Sequence, residues 1–260
     1  MNSDRRPTVH ISLAAFPGMR HEQSAERAVS EARLGTLEEG VLGSISVAHI
    51  QLVPQNFGLL SETLVDGLMT AYPEAQFRLH ANTRVLPSQR VADLSNFGSY
   101  QEWFIQAAAI SQRLRAPAYT AHSGYRENAT MDSMLTNAQR AAELFGCSVG
   151  VEGQYPTAGN KLLVSSWDEY QQVFESGVPY ALDLSHLNIV AHKSGRREDN
   201  LVKEMLNCER CIEVHVSDND GRGDAHQVCE KQPWWFPMLN YINHNAIVFT
   251  EGNHLRKRKA

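Results

Sequence analysis

The chain has 260 residues, 42% hydrophobic and 20% charged, ordinary globular material long enough to bury a substantial core. Its formal net charge of −5 argues against a general nucleic-acid binder. No segment approaches the roughly 18 continuous apolar residues of a membrane span.

Short apolar runs recur along the chain, most with a helical pattern behind them. Val9–Phe16 reads as a first strand, followed by a helix near Glu22–Arg33. The stretch before it is charged but has no signal-peptide core, so the expected location is cytoplasmic. Ile45–Val53 is the second strand, with a helix near Leu59–Ala71, and Phe77–Ala81 the third, with a helix near Tyr100–Leu114. Ala118–His122 precedes a helix near Met131–Phe145, and Ser148–Glu152 precedes Trp167–Glu175. Pro179–His186 precedes Leu201–Leu206, Cys211–Ser217 precedes Trp235–Ile242, and Ala246–Glu251 is the eighth strand.

Strands alternating with helices imply βαβ units and a parallel sheet. Eight such units imply closure into a (β/α)₈ barrel, a single TIM-barrel domain over residues 1–260. The chain ends soon after Glu251, so the eighth helix is short or missing. Another segment or a second copy of the chain, as a homodimer, then covers that edge. A doubly wound sheet would want a glycine-rich turn after the first strand, where Ala15-Phe16-Pro17-Gly18 stands instead. The long loops 82–97, 153–164, 187–199 and 218–233 all follow strands, on the face where such barrels carry their sites.

The polar residues are placed by position. The third and fourth strands end in His80 and His122, the fifth in Glu152, the sixth in Asp183-Leu184-Ser185-His186. The seventh carries Glu213-Val214-His215 and the eighth ends in Glu251. Buried charges need partners or a metal, and this many imidazoles and carboxylates at one barrel mouth call for a cation. The loop after the seventh strand adds Asp224 and His226. Its Asp218-x-Asp220-Gly221 start looks like a calcium loop but lacks the distal glutamate and the helical frame, so it reads as turn-shaping.

Smaller signals have plainer readings. Cys147, Cys208, Cys211 and Cys229 read as free thiols, and a lone Cys208-x-x-Cys211 without a second pair reads as structural. His10 and His49 read as core histidines. Arg126 either binds an anion or pairs with Glu127. Arg222, between candidate ligands, is the better anion-binding group. Lys193, Arg196 and Arg197 make a basic loop that is either solvated or anion-binding. Of Trp234 and Trp235, one seals the core and the other walls a pocket or a subunit contact. The basic end, His254–Lys259, reads as a solvated terminus.

The stretch Glu213–His226 resembles a signature of sugar phosphate isomerases/epimerases, and the ligand order from the third strand to the eighth resembles the xylose isomerase-like barrel superfamily, which includes AP endonuclease family 2 (endonuclease IV). In the single-metal epimerases of that group, the resemblance assigns the ion to Glu152, Asp183, His215 and Glu251, and substrate contact to His186. In endonuclease IV, which holds three metals, His80, His122, His186, Asp224 and His226 match the additional ligands. That analogy puts one ion on His80, His122 and Glu152, a second on Glu152, Asp183, His215 and Glu251, and a third on His186, Asp224 and His226. A group of multinuclear iron oxygenases that modify peptides is similar in its histidine-rich mouth. After His80 the chain lacks an aromatic wedge, and its net charge is acidic, so duplex nucleic acid is not the expected partner.

The expected function is therefore a divalent-metal isomerase or epimerase of a small sugar or other hydroxycarbonyl compound, with Arg222 suited to an anionic one. Glu152 and Glu251 move the proton, with His186 and Arg222 on the substrate. The alternative is a multinuclear enzyme, either an iron oxygenase or a zinc/manganese phosphoesterase. One to three ions of manganese, iron, zinc or cobalt are expected. A non-catalytic barrel braced by metal is the remaining possibility.

Overall fold

The computed structural model describes residues 6–88 and 90–256, so Lys257–Lys259 of the basic end lie outside the described residues. Its frame is a set of parallel strands: β1 (Val9–Ser12), β2 (Ser46–Leu52), β3 (Gln76–Leu79), β4 (Ala118–His122), β5 (Ser148–Glu152), β6 (Tyr180–Asp183), β7 (Cys211–Val216) and β8 (Ile247–Thr250). They are hydrogen-bonded in the order β3-β2-β1-β8-β7-β6-β5-β4. Sequence neighbours are thus sheet neighbours around the ring, as in a (β/α)₈ barrel. Among the described residues only the seam between β3 and β4 lacks a ladder.

The helices are α1 (His21–Arg33), α2 (Glu62–Ala71), α3 (Gln101–Arg113), α4 (Met131–Phe145), α5 (Trp167–Glu175), α6 (Leu184–Ser194) and α7 (Asp199–Asn207). Their starts follow from capping chemistry. Ser61 accepts the Leu64 N–H at 3.2 Å ahead of α2, and Thr130 accepts that of Ser133 at 3.3 Å ahead of α4. Helix α4 stops at Gly146, which adopts φ +68° without the penalty a side chain would bring. Apolar strand residues such as Val149, Val151 and Val214 are buried with helix residues such as Ala138, Val173 and Val202. None of the described helices is long and apolar enough to cross a membrane.

Several boundaries differ from expectation. The first strand stops at Ser12, and Leu13–Ala15 form a 3₁₀ turn. The sixth stops at Asp183, and most of the expected loop 187–199 is helix α6. Asp183 causes this by capping α6, its Oδ1 accepting the N–H groups of Ser185 at 2.7 Å and His186 at 3.2 Å. Before β8, Phe236–Tyr241 form a 3₁₀ helix with Pro237 in its first turn.

After β8 the chain runs to Arg256 in turns, without a helix among the described residues. An earlier segment of the chain meets the end of β8. Between α1 and β2, Glu38–Glu39 pair antiparallel with Gly43–Ser44. This hairpin reaches the end of β8 and the loop after β7: Glu39 accepts the Thr250 hydroxyl, and the Val41 N–H donates to the Cys229 carbonyl at 3.2 Å. The four cysteines are unpaired, and Cys211 is buried at the start of β7.

Candidate metal centre

Because side chains alternate across a strand, residues two apart share the barrel axis. Arg78 and His80, Thr120 and His122, and Glu213 and His215 make such pairs, and their contacts confirm it. The register sets His122 beside Glu152 and Asp183 beside His215, so the upper layer of the barrel is a ring of imidazoles and carboxylates.

Glu152 lies at the centre of that ring. Its Oε2 is 3.5 Å from His80 Nδ1, and its Oε1 is 3.4 Å from His215 Nδ1, 3.9 Å from His122 Nε2 and 4.0 Å from His186 Nδ1. Glu251 Oε1 is 4.0 Å from His80 Nε2 and 3.9 Å from His215 Nδ1, while its Oε2 is 3.6 Å from His226 Nδ1. On the outer side, His186 Nε2 lies 3.2 Å from Asp183 Oδ2 and 3.5 Å from Asp224 Oδ2, which in turn is 2.8 Å from His226 Nε2. All nine candidate metal ligands named from the sequence thus form one connected group. Solvent reaches it mainly at His122, Asp224 and His226, whose side chains are 22%, 14% and 24% exposed.

These residues suit a cation. His80 Nδ1, Glu152 Oε2, Asp183 Oδ2, His215 Nδ1, Asp224 Oδ1, His226 Nδ1 and Glu251 Oε1 are all buried without a hydrogen-bond partner. Each such atom costs about 1–3 kcal/mol unless something binds it. Three sets offer donor atoms within 4.8 Å of one another: His80, His215 and Glu251; His80, His122 and Glu152; and Glu152, Asp183 and His215. Donors about 2.1 Å from an ion stand up to roughly 4.2 Å apart, so small side-chain shifts would close these sets.

Other residues aim the ring, and the sequence reading assigned them no role. Glu213, directly beneath His215, accepts from Gln51 at 2.8 Å, Thr120 at 2.9 Å and Arg78 at 2.7 Å. Its Oε1 faces His215 Nε2 at 2.7 Å. That contact places the proton on Nε2 and leaves Nδ1 as the free donor atom. Asp93 and Asn82, from the loop after β3, flank His122 Nδ1 at 3.5 Å and 3.3 Å. Asp183, with Oδ1 occupied by its cap bonds and by the Ser185 hydroxyl at 2.6 Å, has Oδ2 left over. Tyr155, half-buried at the mouth, packs on His186 with ring centroids 4.8 Å apart. Arg78 and Glu213 were detectable by their two-residue spacing from ligands; the loop residues carried no such signal.

Charge shapes proton affinity here. Burial alone would lower His186, but the Asp183 and Asp224 carboxylates raise it to about 10. His226, likewise penalised by burial, is raised to about 9, chiefly by its bond to Asp224. Burial dominates at His80, which is lowered to about 3. Glu152 is held well below the usual carboxylate range, because His80 and His215 outweigh its burial, whereas burial raises Glu251. A histidine raised on folding contributes stability that is complete below its unfolded value of 6.5 and is lost as pH rises through its folded value. Chelator-treated protein should therefore lose stability between pH 6.5 and about 9–10 through His226 and His186. Urea unfolding at pH 6.5, 8 and 9.5 checks this, and a midpoint flat across that range would contradict the pairing.

The remaining expectations divide. Arg222 is exposed, and its backbone N–H donates to Asp220 at 2.9 Å. Together with the Asn219 N–H on Asp218, this fits the turn-shaping reading of that loop. Arg126 meets Glu169, at 2.6 Å and 2.9 Å, rather than Glu127. Lys193 belongs to α6 rather than a loop, and Arg196 and Arg197 pair with Asp168 and Asp199. His10 and His49 pack edge to face on each other, centroids 4.6 Å apart. Trp235 is buried, while Trp234 lines an outer cleft with Arg197 and Tyr241.

No family model matches this sequence, and no curated protein matches it. Solved structures do match in shape. A D-tagatose 3-epimerase-like protein superposes with a TM-score of 0.67 at 15% identity, covering 95% of this chain and 91% of that one. The fold is shared. An AP endonuclease, family 2, from Brucella melitensis gives 0.64 at 14%, covering 96% and 94%. A 3-keto-D-glucoside 4-epimerase from E. coli gives 0.59 at 12%, covering 98% and 94%. This chain is thus a TIM barrel shaped like sugar epimerases and an AP endonuclease, with groups of residues able to hold metal at its mouth.

Proposed function

We propose that the chain is a divalent-metal isomerase or epimerase acting on a small sugar or related hydroxycarbonyl compound. The observation that carries this is the convergence of buried, unpartnered donor atoms on Glu152, Asp183, His215 and Glu251. A divalent ion there would polarise carbonyl and hydroxyl oxygens. The two glutamates supply the proton chemistry. Their acidities are pushed in opposite directions, which supports Glu152 as the group that takes the proton next to the carbonyl and Glu251 as the one that returns it. His186 and Tyr155 edge the opening, where His186 would orient substrate. Arg222, exposed on the adjoining loop, would meet an anionic group on it.

A second reading has its own support. The two oxygens of Glu152 face different imidazoles, His80 at 3.5 Å and His215 at 3.4 Å, as in a carboxylate shared between ions. A one-ion scheme leaves His80, His122, Asp224 and His226 without a ligand role. The multinuclear alternative uses them, with iron and oxygen, or with zinc or manganese and a phosphoester.

Elemental analysis of untagged protein, purified anaerobically without added metal or chelator, separates the two. About one manganese, cobalt or zinc per chain is expected for the isomerase scheme. Two or three ions would replace it by the multinuclear scheme, and no metal at all would end both.

A further inference from the structure

The inserted hairpin reaches two segments of the candidate site. Glu39 is 1% exposed, and both of its carboxylate oxygens are engaged. Oε1 accepts the Thr250 hydroxyl and lies 3.2 Å from His254 Nε2, while Oε2 accepts the Cys229 N–H at 3.1 Å. Thr250 immediately precedes Glu251, and Cys229 lies three residues after His226. One remote carboxylate therefore fastens the end of β8 to the loop that carries Asp224 and His226. A further bond joins the same two segments, the Asn253 N–H donating to the His226 carbonyl at 2.8 Å, while within the first of them the Gly252 N–H donates to Thr250 Oγ1 at 3.2 Å. The packing is close. A Cβ at Gly252 would come within 3.0 Å of Val228 Cα and 3.1 Å of Glu39 Oε1, so a side chain there would press on both the loop and the clamp.

We infer that Glu39 is a positioning residue for the metal centre. By tying Thr250 to the Cys229 peptide it sets the spacing between Glu251 and the Asp224–His226 pair, and so decides whether that side of the ligand group is assembled. The 3.6 Å approach of His226 Nδ1 to Glu251 Oε2 is the dimension it controls. His80, His122 and Glu152 stand on β3 to β5 and lie outside its reach. A buried carboxylate exchanged for a methyl group would let the loop lift without touching any ligand.

The inference rests on the metal reading, and its test separates the two. Full-length parent and Glu39→Ala protein are stripped with chelator, refilled with manganese and followed by titration calorimetry. Binding to the folded variant should weaken about 10–100-fold for at least one ion, the usual effect of losing an outer partner of a ligand. Glu39→Gln, which keeps an acceptor for one donor, should recover part of that loss. A residue serving only the fold would lower the unfolding midpoint and leave manganese affinity unchanged, and unchanged affinity overturns the inference. If Glu39→Ala does not fold, Thr250→Val decides: it removes one clamp donor at constant volume and should weaken binding in the same direction. A parent that binds no manganese, zinc or iron would instead overturn the metal reading itself.

Discussion

Glu152→Gln should remove at least one bound ion per chain and abolish turnover. The amide matches the carboxylate in shape, so the fold has no reason to change. Its charge is gone, and one of its two oxygens becomes an NH₂ that cannot ligate. Four imidazoles stand within 4.0 Å of Glu152, and both candidate ligand sets that contain it lose a carboxylate, the His80–His122 set its only one. Because even an outer partner of a ligand costs roughly 10–100-fold in affinity or activity, a shared ligand should cost more, at least about 10³-fold in turnover. Metal analysis reads the effect without a known substrate. Metal content and activity equal to the parent would sink both catalytic schemes.

Arg78→Met should produce the largest loss of stability. Arg78 and Glu213 are 2% and 0% exposed and meet at 2.7 Å in the middle of the barrel. Removing one member of a buried pair strands the other, at about 3–5 kcal/mol. Gln51 and Thr120 still donate to Glu213, which keeps the expectation at the lower end of that range. The double variant Arg78→Met/Glu213→Leu strands no charge and should recover most of the loss, although His215 then loses the partner of its Nε2. Urea unfolding of chelated protein measures both. A cost under about 1 kcal/mol for Arg78→Met would mean that water reaches the pair.

Much of this was written in the sequence. Short strands with a candidate ligand at or beside the C-terminal end are a local pattern, and alternation by two fixes which side chains share the axis. The sixth strand misled because Asp183 serves twice, as candidate ligand and as helix cap, so that the apolar run continuing through Leu184 and Leu187 belongs to α6. Long-range partners were not legible. Arg126 finds Glu169 rather than its neighbour Glu127, and Glu39 finds Cys229 and Thr250 190 and 211 residues away. No spacing rule reaches that far, because only closure of the barrel brings those segments together.

The seam between β3 and β4 would give a bound cation one more task. Those strands lack a ladder, yet His80 follows the end of one and His122 ends the other, both facing Glu152 on β5. An ion held by these three would be a stitch across the one gap that the described residues leave in the ring, doing with coordination bonds what peptide groups do elsewhere. Loading the site would then stiffen the whole cylinder, and stripping it would unzip the wall from that edge, so that catalytic readiness and mechanical closure rise and fall together.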